Sequence, residues 1–218
     1  MTRAIATLSE VVGTVRDGID TGSDRAMTAA PALEPSTWHE LVEAWRNVQL
    51  PGKGWRAEII EGVIVMTPPP GKPHNKVNSR VIKALARVIL DEWELATALG
   101  VVIPATGDTY EPDLAVVPRE VLDADPPGDP VVADQLLLAV EITSWSNAKT
   151  DRETKLRGYA LGGVPLYLLI DRFRAGGPSV LLYSNPESGS YRELSCVPFD
   201  KPVELPDPFN LTLETRDF

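Results

Sequence analysis

The sequence is poor in the residues that form disulfides and soft-metal sites. Its 218 residues include one cysteine, Cys196, and two histidines, His39 and His74. A single cysteine excludes a disulfide framework and a cysteine-rich zinc site. Two histidines argue against an all-nitrogen metal cluster. Any metal bound by this protein would therefore be held mainly by oxygen ligands.

Long apolar runs are also missing. A transmembrane helix needs roughly 20 consecutive apolar residues, and no stretch of the sequence approaches that length. The N-terminus has an early arginine, Arg3, but no compact apolar segment followed by a small-residue cleavage site. We therefore expect a protein that works without a membrane, in the reducing cytoplasm.

Positive charge is in deficit over the chain as a whole. Lys and Arg number 21 against 31 Asp and Glu, for a net charge of −10. Such a balance argues against a protein that coats nucleic acid or anionic membrane with its whole surface. The deficit is uneven, because residues 104–140 hold one basic and eight acidic side chains, whereas residues 37–103 and 141–175 are slightly positive. A local basic site remains compatible with the composition.

The composition predicts one folded domain with an appended N-terminal segment. Hydrophobic residues make up 43% of the chain and charged residues 24%, which is typical of a globular protein. Residues 1–35 are rich in Gly, Ser, Thr, Asp and Ala, so we expect a flexible extension that is disordered or loosely helical, with a short helix near residues 4–15 as one option. The folded domain is expected over residues 36–218.

Alternating helical and strand patterns predict an α/β fold. A capping box of Thr37 and Glu40 would start a helix that runs to Asn47, and a Glu61-Gly62 turn would close a hairpin. Further helices are expected at residues 73–97 and 148–161, and further strands at 101–103, 114–117, 135–143, 165–171, 179–183 and 191–197. Residues 118–134 are expected to form a loop. Together these elements predict a mixed β-sheet flanked by α-helices.

Glu141 is the most informative single residue. It follows a run of apolar residues that is typical of a central strand buried on both faces. Burying a carboxylate there is costly unless it is paired or binds a cation. Asp113 has a similar setting at the start of another strand, so two acids on neighbouring strands could share a hard divalent ion. The alternatives are a solvent-facing strand end for Glu141 and a turn beside proline for Asp113.

A lysine follows on the next predicted helix. Asp151, Lys155 and Tyr159 are spaced at i, i+4 and i+8 and therefore share one helix face. If that face is turned toward Glu141, Lys155 could orient or deprotonate water, or offset phosphate charge. The alternative is a solvated helix, since the charges around Lys155 alternate in sign.

Several motifs together resemble a known family. They are Glu58-Ile59-Ile60-Glu61-Gly62, His74, Glu111-Pro112-Asp113, Val140-Glu141-Ile142-Thr143-Ser144-Trp145-Ser146, Asp151 to Ala160, Gly163-Val164-Pro165-Leu166-Tyr167 and Ile170-Asp171. The set resembles the Uma2 family of restriction-endonuclease-like proteins in the PD-(D/E)XK nuclease superfamily, from about residue 37 to about 195. Trp145 stands where that family usually has proline, which should change the shape of its loop.

The resemblance implies a restriction-endonuclease-like fold and a Mg²⁺- or Mn²⁺-dependent endonuclease, acting on DNA. Asp113 and Glu141 would be the metal carboxylates. Glu58 would be a further acid that completes the metal site or holds a metal-bound water, although its position alone would equally suit a solvent-facing strand residue. Lys155 would be the catalytic lysine, moved to a helix from the superfamily's usual position, which is Thr143 here. A homodimer is expected by analogy with nucleases that cut two strands.

Substrate contacts are expected from the helix after the hairpin. His74 lies just before a basic stripe and could contact phosphate or transfer a proton. The stripe consists of Lys76, Arg80, Lys83 and Arg87, which could follow phosphates or simply form a solvated face. Tyr159 is a further candidate for substrate contact.

Two other functions remain open from the sequence. One is a nuclease-fold protein without catalysis that binds nucleic acid or a protein partner. The other is a structural or assembly protein with a solvated acidic surface, which would leave Glu141 on its apolar strand without an explanation. The joint presence of Asp113, Glu141 and Lys155 favours the enzyme.

Overall fold

The computed structural model describes residues 4–6, 35–124 and 130–218. Over these residues the chain forms two six-stranded sheets and one two-stranded sheet, flanked by helices. The strands are β1 (Ala4–Ala6), β2 (Arg56–Ile60), β3 (Val63–Thr67), β4 (Trp93–Ala96), β5 (Val101–Ile103), β6 (Asp108–Tyr110), β7 (Leu114–Pro118), β8 (Val131–Val132), β9 (Leu138–Ile142), β10 (Leu166–Asp171), β11 (Ser179–Glu187), β12 (Ser190–Pro198), β13 (Val203–Leu205) and β14 (Leu211–Leu213).

The helices complete the mixed architecture. They are α1 (Pro35–Arg46), α2 (Lys72–Leu85), α3 (Arg119–Leu122), α4 (Ala148–Thr150) and α5 (Leu156–Leu161), with a 3₁₀ turn at Ala133–Gln135 and a π-helical turn at Asp151–Lys155. Parallel pairs, β9 with β10 and β5 with β8, occur beside antiparallel ones. The predicted mixed α/β class is confirmed, although the strands are divided between two large sheets and a small one where a single mixed sheet was expected.

The first sheet has the strand order β1-β3-β2-β6-β5-β8 and contains the predicted hairpin. Glu61 and Gly62 connect β2 to β3 with φ angles of 52° and 78°. Two consecutive positive φ angles are the signature of the type I′ turn, whose twist matches that of the paired strands. The Glu-Gly pair therefore sets the register that brings Glu58 opposite Val65.

The N-terminal extension differs in part from its prediction. Ala4–Ala6 is a strand that pairs antiparallel with β3, from Ala4 opposite Met66 to Ala6 opposite Ile64. For these three residues, neither the expected disorder nor the optional helix near residues 4–15 is correct, because an edge of the hairpin offers unpaired backbone groups that a strand can satisfy. Residues 1–3 and 7–34 lie outside the described residues.

The second sheet, ordered β12-β11-β10-β9-β7-β4, carries most of the core. Its central strand β9 is buried at all five positions, as the apolar run of the sequence predicts. β9 pairs in parallel with β10 and antiparallel with β7. β12 (Ser190–Pro198) forms one edge of this sheet and confirms the strand predicted at residues 191–197.

The long helix expected at residues 73–97 is wrong in its second half. Helix α2 ends at Leu85, the last member of a buried stripe that also contains His74, Val77 and Val81. Residues Trp93–Ala96 form strand β4, which pairs antiparallel with β7. The edge of β7 supplies backbone hydrogen-bond partners from distant sequence, and such tertiary pairing overrides local helical preference.

Two shorter predictions also fail. Helix α1 begins at Pro35, so Thr37 lies inside the helix rather than at its N-cap. Proline suits the first helical turn, where its missing N–H is not needed. The loop expected at residues 118–134 contains α3, β8 and a 3₁₀ turn, because β8 pairs with β5 across a long separation. Residues 125–129 of that loop lie outside the described residues.

The two large sheets are joined at the segment that holds one of the candidate acids. Strand β6 belongs to the first sheet and β7 to the second, and Glu111-Pro112-Asp113 connects them. Both sheets and two helices therefore meet around this connection. The predicted helix at 148–161 is helical throughout, as α4, the π turn and α5.

Candidate functional site

Asp113 and Glu141 lie side by side at one end of the second sheet. The β7–β9 register runs through Leu114 opposite Val140, and Asp113 and Glu141 come one residue further along. Opposed residues of an antiparallel pair project from the same face of the sheet. Both side chains are buried, with exposures of 4% and 2%. The structure therefore places the two acids at adjacent positions with little exposure to bulk water.

The carboxylate of Asp113 is surrounded by donors. Arg56 Nη2 donates to Oδ1 at 2.8 Å, and the Ile142 N–H donates to Oδ2 at 2.8 Å. His74 Nε2 lies 2.9 Å from Oδ2 and must carry the proton if the carboxylate is ionised. Burial opposes ionisation, but the hydrogen bond from His74 and the charge of Arg56 outweigh it and lower the pKa of Asp113 to about 2.

Glu141 sits in a different electrostatic environment. Its Oε1 accepts hydrogen bonds from Lys155 Nζ and from the Tyr159 hydroxyl, both at 2.9 Å. Burial raises the pKa of Glu141 to about 7; the Lys155 charge opposes this rise, and the charges of Asp113 and Glu58 add to it. Two acids on adjacent strands thus have pKa values displaced in opposite directions.

Lys155 is the cation that links the two sheets. Its Nζ lies 2.7 Å from Glu58 Oε1, on the first sheet, and 2.9 Å from Glu141 Oε1, on the second. Burial disfavours the ammonium form, but the surrounding carboxylates, Glu141 foremost, outweigh burial and raise the pKa of Lys155. The ammonium is therefore retained at neutral pH.

Asp151 is a buried acid without a hydrogen-bond donor. Its side chain is fully buried, and neither carboxylate oxygen has a hydrogen-bond partner in the described part of the chain. The Lys155 ammonium lies 3.8 Å away. Burial raises the pKa of Asp151 well above its usual value. Asp151 and Lys155 are the two ends of the π-helical turn, a distortion that is frequent at functional sites.

Glu58 and Glu111 border the cluster from the first sheet. Glu58 Oε1 accepts the backbone N–H of Glu111 at 2.8 Å in addition to its contact with Lys155. Glu111 is half-buried, and burial together with the charge of Glu58 raises the pKa of Glu111 to about 7. The site thus contains a second acid that titrates near neutral pH.

Helix packing around Lys155 depends on one glycine. A Cβ at Gly158 would collide with the Tyr110 ring and hydroxyl. Tyr110 in turn lies under Lys155, with Nζ 5.7 Å from the ring centroid, and packs edge-to-face on Tyr159. Gly158 therefore lets the lysine helix approach the first sheet closely enough for Lys155 to reach Glu58.

The structure brings together most of the site residues expected from the sequence, and the basic stripe lies apart from them. The residues that come together are Glu58, Asp113, Glu141 and Lys155. His74 contacts Asp113, and Tyr159 contacts Glu141. His74 and Tyr159 are 5% and 0% exposed, so each contacts an acid instead of presenting a surface to a substrate. The shared face of Asp151, Lys155 and Tyr159 is present as expected.

The basic stripe lies apart from the acids. Lys76, Lys83 and Arg87 are exposed, and Arg87 falls beyond the end of α2. Arg80 pairs with Asp217 at 2.8 Å. Within the described residues, none of the four forms an ion pair with a site acid.

Three residues of the cluster are not predicted as site residues by the sequence motifs, namely Arg56, Glu111 and Asp151. The position of Arg56 could have indicated its role, because Arg56 lies two residues before Glu58 on a strand and residues i and i+2 share a face. Helical spacing places Asp151 on the same face as Lys155 but gives it no role in the site. Glu111 precedes Pro112-Asp113, and its altered pKa depends on burial that the sequence does not display.

The donor chemistry suits a hard cation, although no ligand cage is preformed. Across residues 4–6, 35–124 and 130–218, no group of three or more His, Cys, Asp or Glu side chains is arranged to hold a metal ion. The carboxylate oxygens of Asp113 and Glu141 are the type that Mg²⁺ and Mn²⁺ prefer. In the structure Asp113 pairs instead with the Arg56 guanidinium and Glu141 with the Lys155 ammonium.

The fold is shared with a solved bacterial protein. A crystal structure from Anabaena variabilis ATCC 29413, described as a "putative nuclease belonging to DUF820", matches with a TM-score of 0.62 and 21% sequence identity. The match covers 84% of this chain and 97% of that one. At this identity the likeness shows the fold alone, a mixed α/β architecture of sheets flanked by helices.

The chain belongs to the Uma2 family. The family's sequence model, described as "Putative restriction endonuclease", matches residues 45–216. The family resemblance carried by the sequence motifs is thereby confirmed. Among curated proteins, no sequence matches the chain. None of the helices in the described residues is long and apolar enough to cross a membrane.

Proposed function

We propose that this protein is an endonuclease that hydrolyses phosphodiester bonds of DNA with the help of Mg²⁺ or Mn²⁺. The observation that carries the proposal is the convergence of Glu58, Glu141 and Lys155 from a strand of each sheet and a helix, beside Asp113. These residues are separated by up to 97 positions in a chain whose family is described as a restriction endonuclease. Burying so many charges is costly and is typical of functional sites.

Asp113 and Glu141 are the residues proposed to hold the ion. Asp113 is ionised at neutral pH, and the near-neutral pKa of Glu141 lets its carboxylate ionise when a cation approaches. A bound divalent ion would supply a lowered pKa for its water and would offset the charge of the phosphodiester. Binding would compete with the present contacts of Arg56 and Lys155.

Lys155 is proposed to act as a cation rather than as a base. Its raised pKa keeps the ammonium, which can stabilise negative charge on a phosphate or hold a water molecule. Glu111 is the better proton acceptor, because a pKa of about 7 suits a general base at neutral pH. Tyr159 and His74 would position Glu141 and Asp113.

The substrate, the oligomer and the location belong to the same proposal. DNA is favoured by the family description, and a homodimer would allow both strands to be cut. A cytoplasmic location is proposed with them, as the sequence leads us to expect. Residues 37–103 and 141–175, which contain most of the site, are slightly positive within an acidic chain. We therefore expect DNA affinity to be modest and to fall with salt.

The direct test is cleavage by the purified full chain. Supercoiled plasmid, single-stranded DNA and RNA of matched sequence are incubated with Mg²⁺, with Mn²⁺ and with a chelator. We expect DNA cleavage that needs the ion and that disappears in Glu141→Gln. Glu120→Gln, the same change at an exposed acid on α3, is the matched control and should cleave like the wild type.

Three results would each contradict a part of the proposal. Cleavage that persists in Glu141→Gln and Lys155→Ala would exclude this cluster as the active site. Cleavage in the chelator would exclude the metal, and a preference for RNA would exclude DNA as substrate. Gel filtration with light scattering decides between a monomer and the homodimer.

One observation favours a second function, binding without cleavage. The described site acids already have protein cations beside them, and no cluster of three metal ligands is preformed among the described residues. A nuclease-fold protein that has lost its ion could use this balance to stay folded. DNA binding without cleavage in any tested ion would support that function.

A further inference from the structure

An exposed aromatic pair lies at the same end of the second sheet as the acids. Trp145 is 85% exposed and Phe173 is 37% exposed, and their rings meet edge-to-face with centroids 5.7 Å apart. Trp145 follows β9, the strand of Glu141, and Phe173 follows the parallel strand β10. Parallel strands end at the same edge of a sheet, so the two loops are neighbours.

The pair is close to the acids along the chain. Trp145 lies four positions after Glu141, and an extended chain spans at most about 3.6 Å per residue. The two Cα atoms are therefore no more than about 14 Å apart. At roughly 3.4 Å per nucleotide of a stacked strand, that limit corresponds to at most about four nucleotides.

Polar contacts hold both loops in place. Asn147 Oδ1 accepts from the Ser144 N–H at 2.6 Å and from the Ser144 hydroxyl at 2.7 Å, which closes the turn around Trp145. On the other loop, Asp171 Oδ1 accepts the Phe173 N–H at 3.1 Å.

The anchor of the second loop is itself held firmly. Arg152 binds Asp171 through two hydrogen bonds of 2.7 Å. The hydroxyl of Thr143, at the end of β9, accepts the Arg172 N–H at 2.9 Å. These hydrogen bonds fix the backbone of both loops that carry the aromatic rings. Ligand binding therefore needs little loss of conformational entropy in the loops.

Two basic residues lie near the pair, one by contact and one along the chain. The Arg172 guanidinium lies over the Phe173 ring, 5.3 Å from its centroid. Lys149, four positions after Trp145, is 85% exposed, with its Nζ 3.9 Å from Glu153 Oε2. Aromatic rings beside cations form the combination that binds single-stranded nucleic acids, in which bases stack on rings and phosphates meet the charges. A base inside a duplex has both faces covered by its neighbours.

We propose that Trp145 and Phe173 form a stacking site for an unpaired nucleobase of the substrate strand, within a few nucleotides of the bond cut at the acid cluster. This inference rests on the proposed nuclease function and adds a substrate class to it, namely DNA with unpaired bases near the cleavage position. Arg172 and Lys149 contact the adjacent phosphates.

The test measures binding without cleavage. Dye-labelled single-stranded oligonucleotides are titrated with the full chain in chelator, and affinity is read from fluorescence anisotropy. We expect Trp145→Ala to weaken binding roughly 5- to 150-fold, since stacking on one aromatic ring contributes an effect of this size. Trp145→Phe should retain most of the affinity. Leu194→Ala, which removes another exposed apolar side chain (54% exposed) on β12, is the control and should bind like the wild type.

An abasic oligonucleotide of the same length separates stacking from other roles of the loop. Without bases, wild type and Trp145→Ala should bind equally. An equal loss on both oligonucleotides, or unchanged binding by Trp145→Ala, would overturn the inference, and so would a wild type that binds no oligonucleotide. A change in oligomeric state without a change in binding would assign the pair to contact between copies and also overturn it. Absence of cleavage in Mg²⁺ or Mn²⁺ with the base-dependent loss intact would contradict only the nuclease proposal.

Discussion

The two halves of the acid cluster differ in how they balance charge. Around Asp113, the Arg56 guanidinium, the His74 ring and the Ile142 N–H all contact one carboxylate, and the pKa of Asp113 falls to about 2. Around Lys155, the carboxylates of Glu58, Glu141 and Asp151 share a single ammonium. The pKa values of Glu141 and Asp151 rise.

The difference shows that burial alone does not set the state of an acid. Asp113 and Glu141 are similarly buried and lie on adjacent strands, so the donors and the neighbouring charges of each acid decide which one stays ionised. The Asp113 half is stable as it stands, and the Lys155 half has an excess of acids. That excess makes the Lys155 half the place where protonation, or an added cation, has the larger effect.

The largest expected effect is that of Lys155→Met. This change removes the ammonium that Glu58, Glu141 and Asp151 share in the described structure. The variant should lose about 3 to 5 kcal/mol of unfolding free energy at pH 8, because it leaves buried carboxylates facing one another. The loss should shrink at pH 5, where those carboxylates bind protons. Urea unfolding at both pH values measures it, with Lys83→Met as the exposed control. An equal loss at both pH values would contradict the proposed crowding of acids.

Glu141→Gln should remove the part of the pH dependence of folding stability that comes from titration of Glu141. In the wild type, the pKa of Glu141 rises from about 4.5 unfolded to about 7 folded, so the folded state binds more protons and stability falls as pH rises between these values. The contribution is on the order of 3 kcal/mol. The variant should show a flatter profile over this range and no cleavage. A steeper profile would contradict the direction of the shift.

Asp113→Asn tests the opposite sign in the other half. A lowered pKa means that ionised Asp113 stabilises the fold above the unfolded pKa near 3.8, and that this stability is lost as pH falls toward 2. The variant should lose about 2 kcal/mol at pH 7 and approach the wild type below pH 4. Acid titration followed by circular dichroism measures the difference. Asp217→Asn, at an exposed ion pair, should change stability by no more than about 0.5 kcal/mol.

The smallest effect is expected outside the cluster. Lys76→Ala, on the exposed stripe of α2, should change stability by less than about 0.5 kcal/mol. If Lys76 meets a phosphate, the slope of log affinity against log salt should fall by about 1. Filter binding of DNA at several salt concentrations measures the slope. An unchanged slope would show that Lys76 does not contact phosphate. The stripe would then be a solvated face, and DNA contact would be expected only at the end of the second sheet that carries Trp145 and Phe173.

Local patterns predicted much of the fold because short-range physics determined it. The buried run in β9, the Glu61-Gly62 hairpin and the helix over 148–161 are confirmed, since each depends on neighbours in sequence. Strand β4 and strand β8 were missed. Both exist only through pairing with β7 and β5, far away in the chain, and no local pattern encodes such partners.

The sequence by itself determined the family and which residues are chemically available: Glu58, Asp113, Glu141 and Lys155 in motifs typical of Uma2 proteins. Only the tertiary structure decided how those residues share charge. Arg56 reaches Asp113, and Lys155 bridges Glu58 and Glu141, because two sheets and a helix close around the connection between β6 and β7. The closure buries the acids and places hydrogen-bond donors and other charges beside them. Burial, donors and neighbouring charges together set the ionisation of each acid.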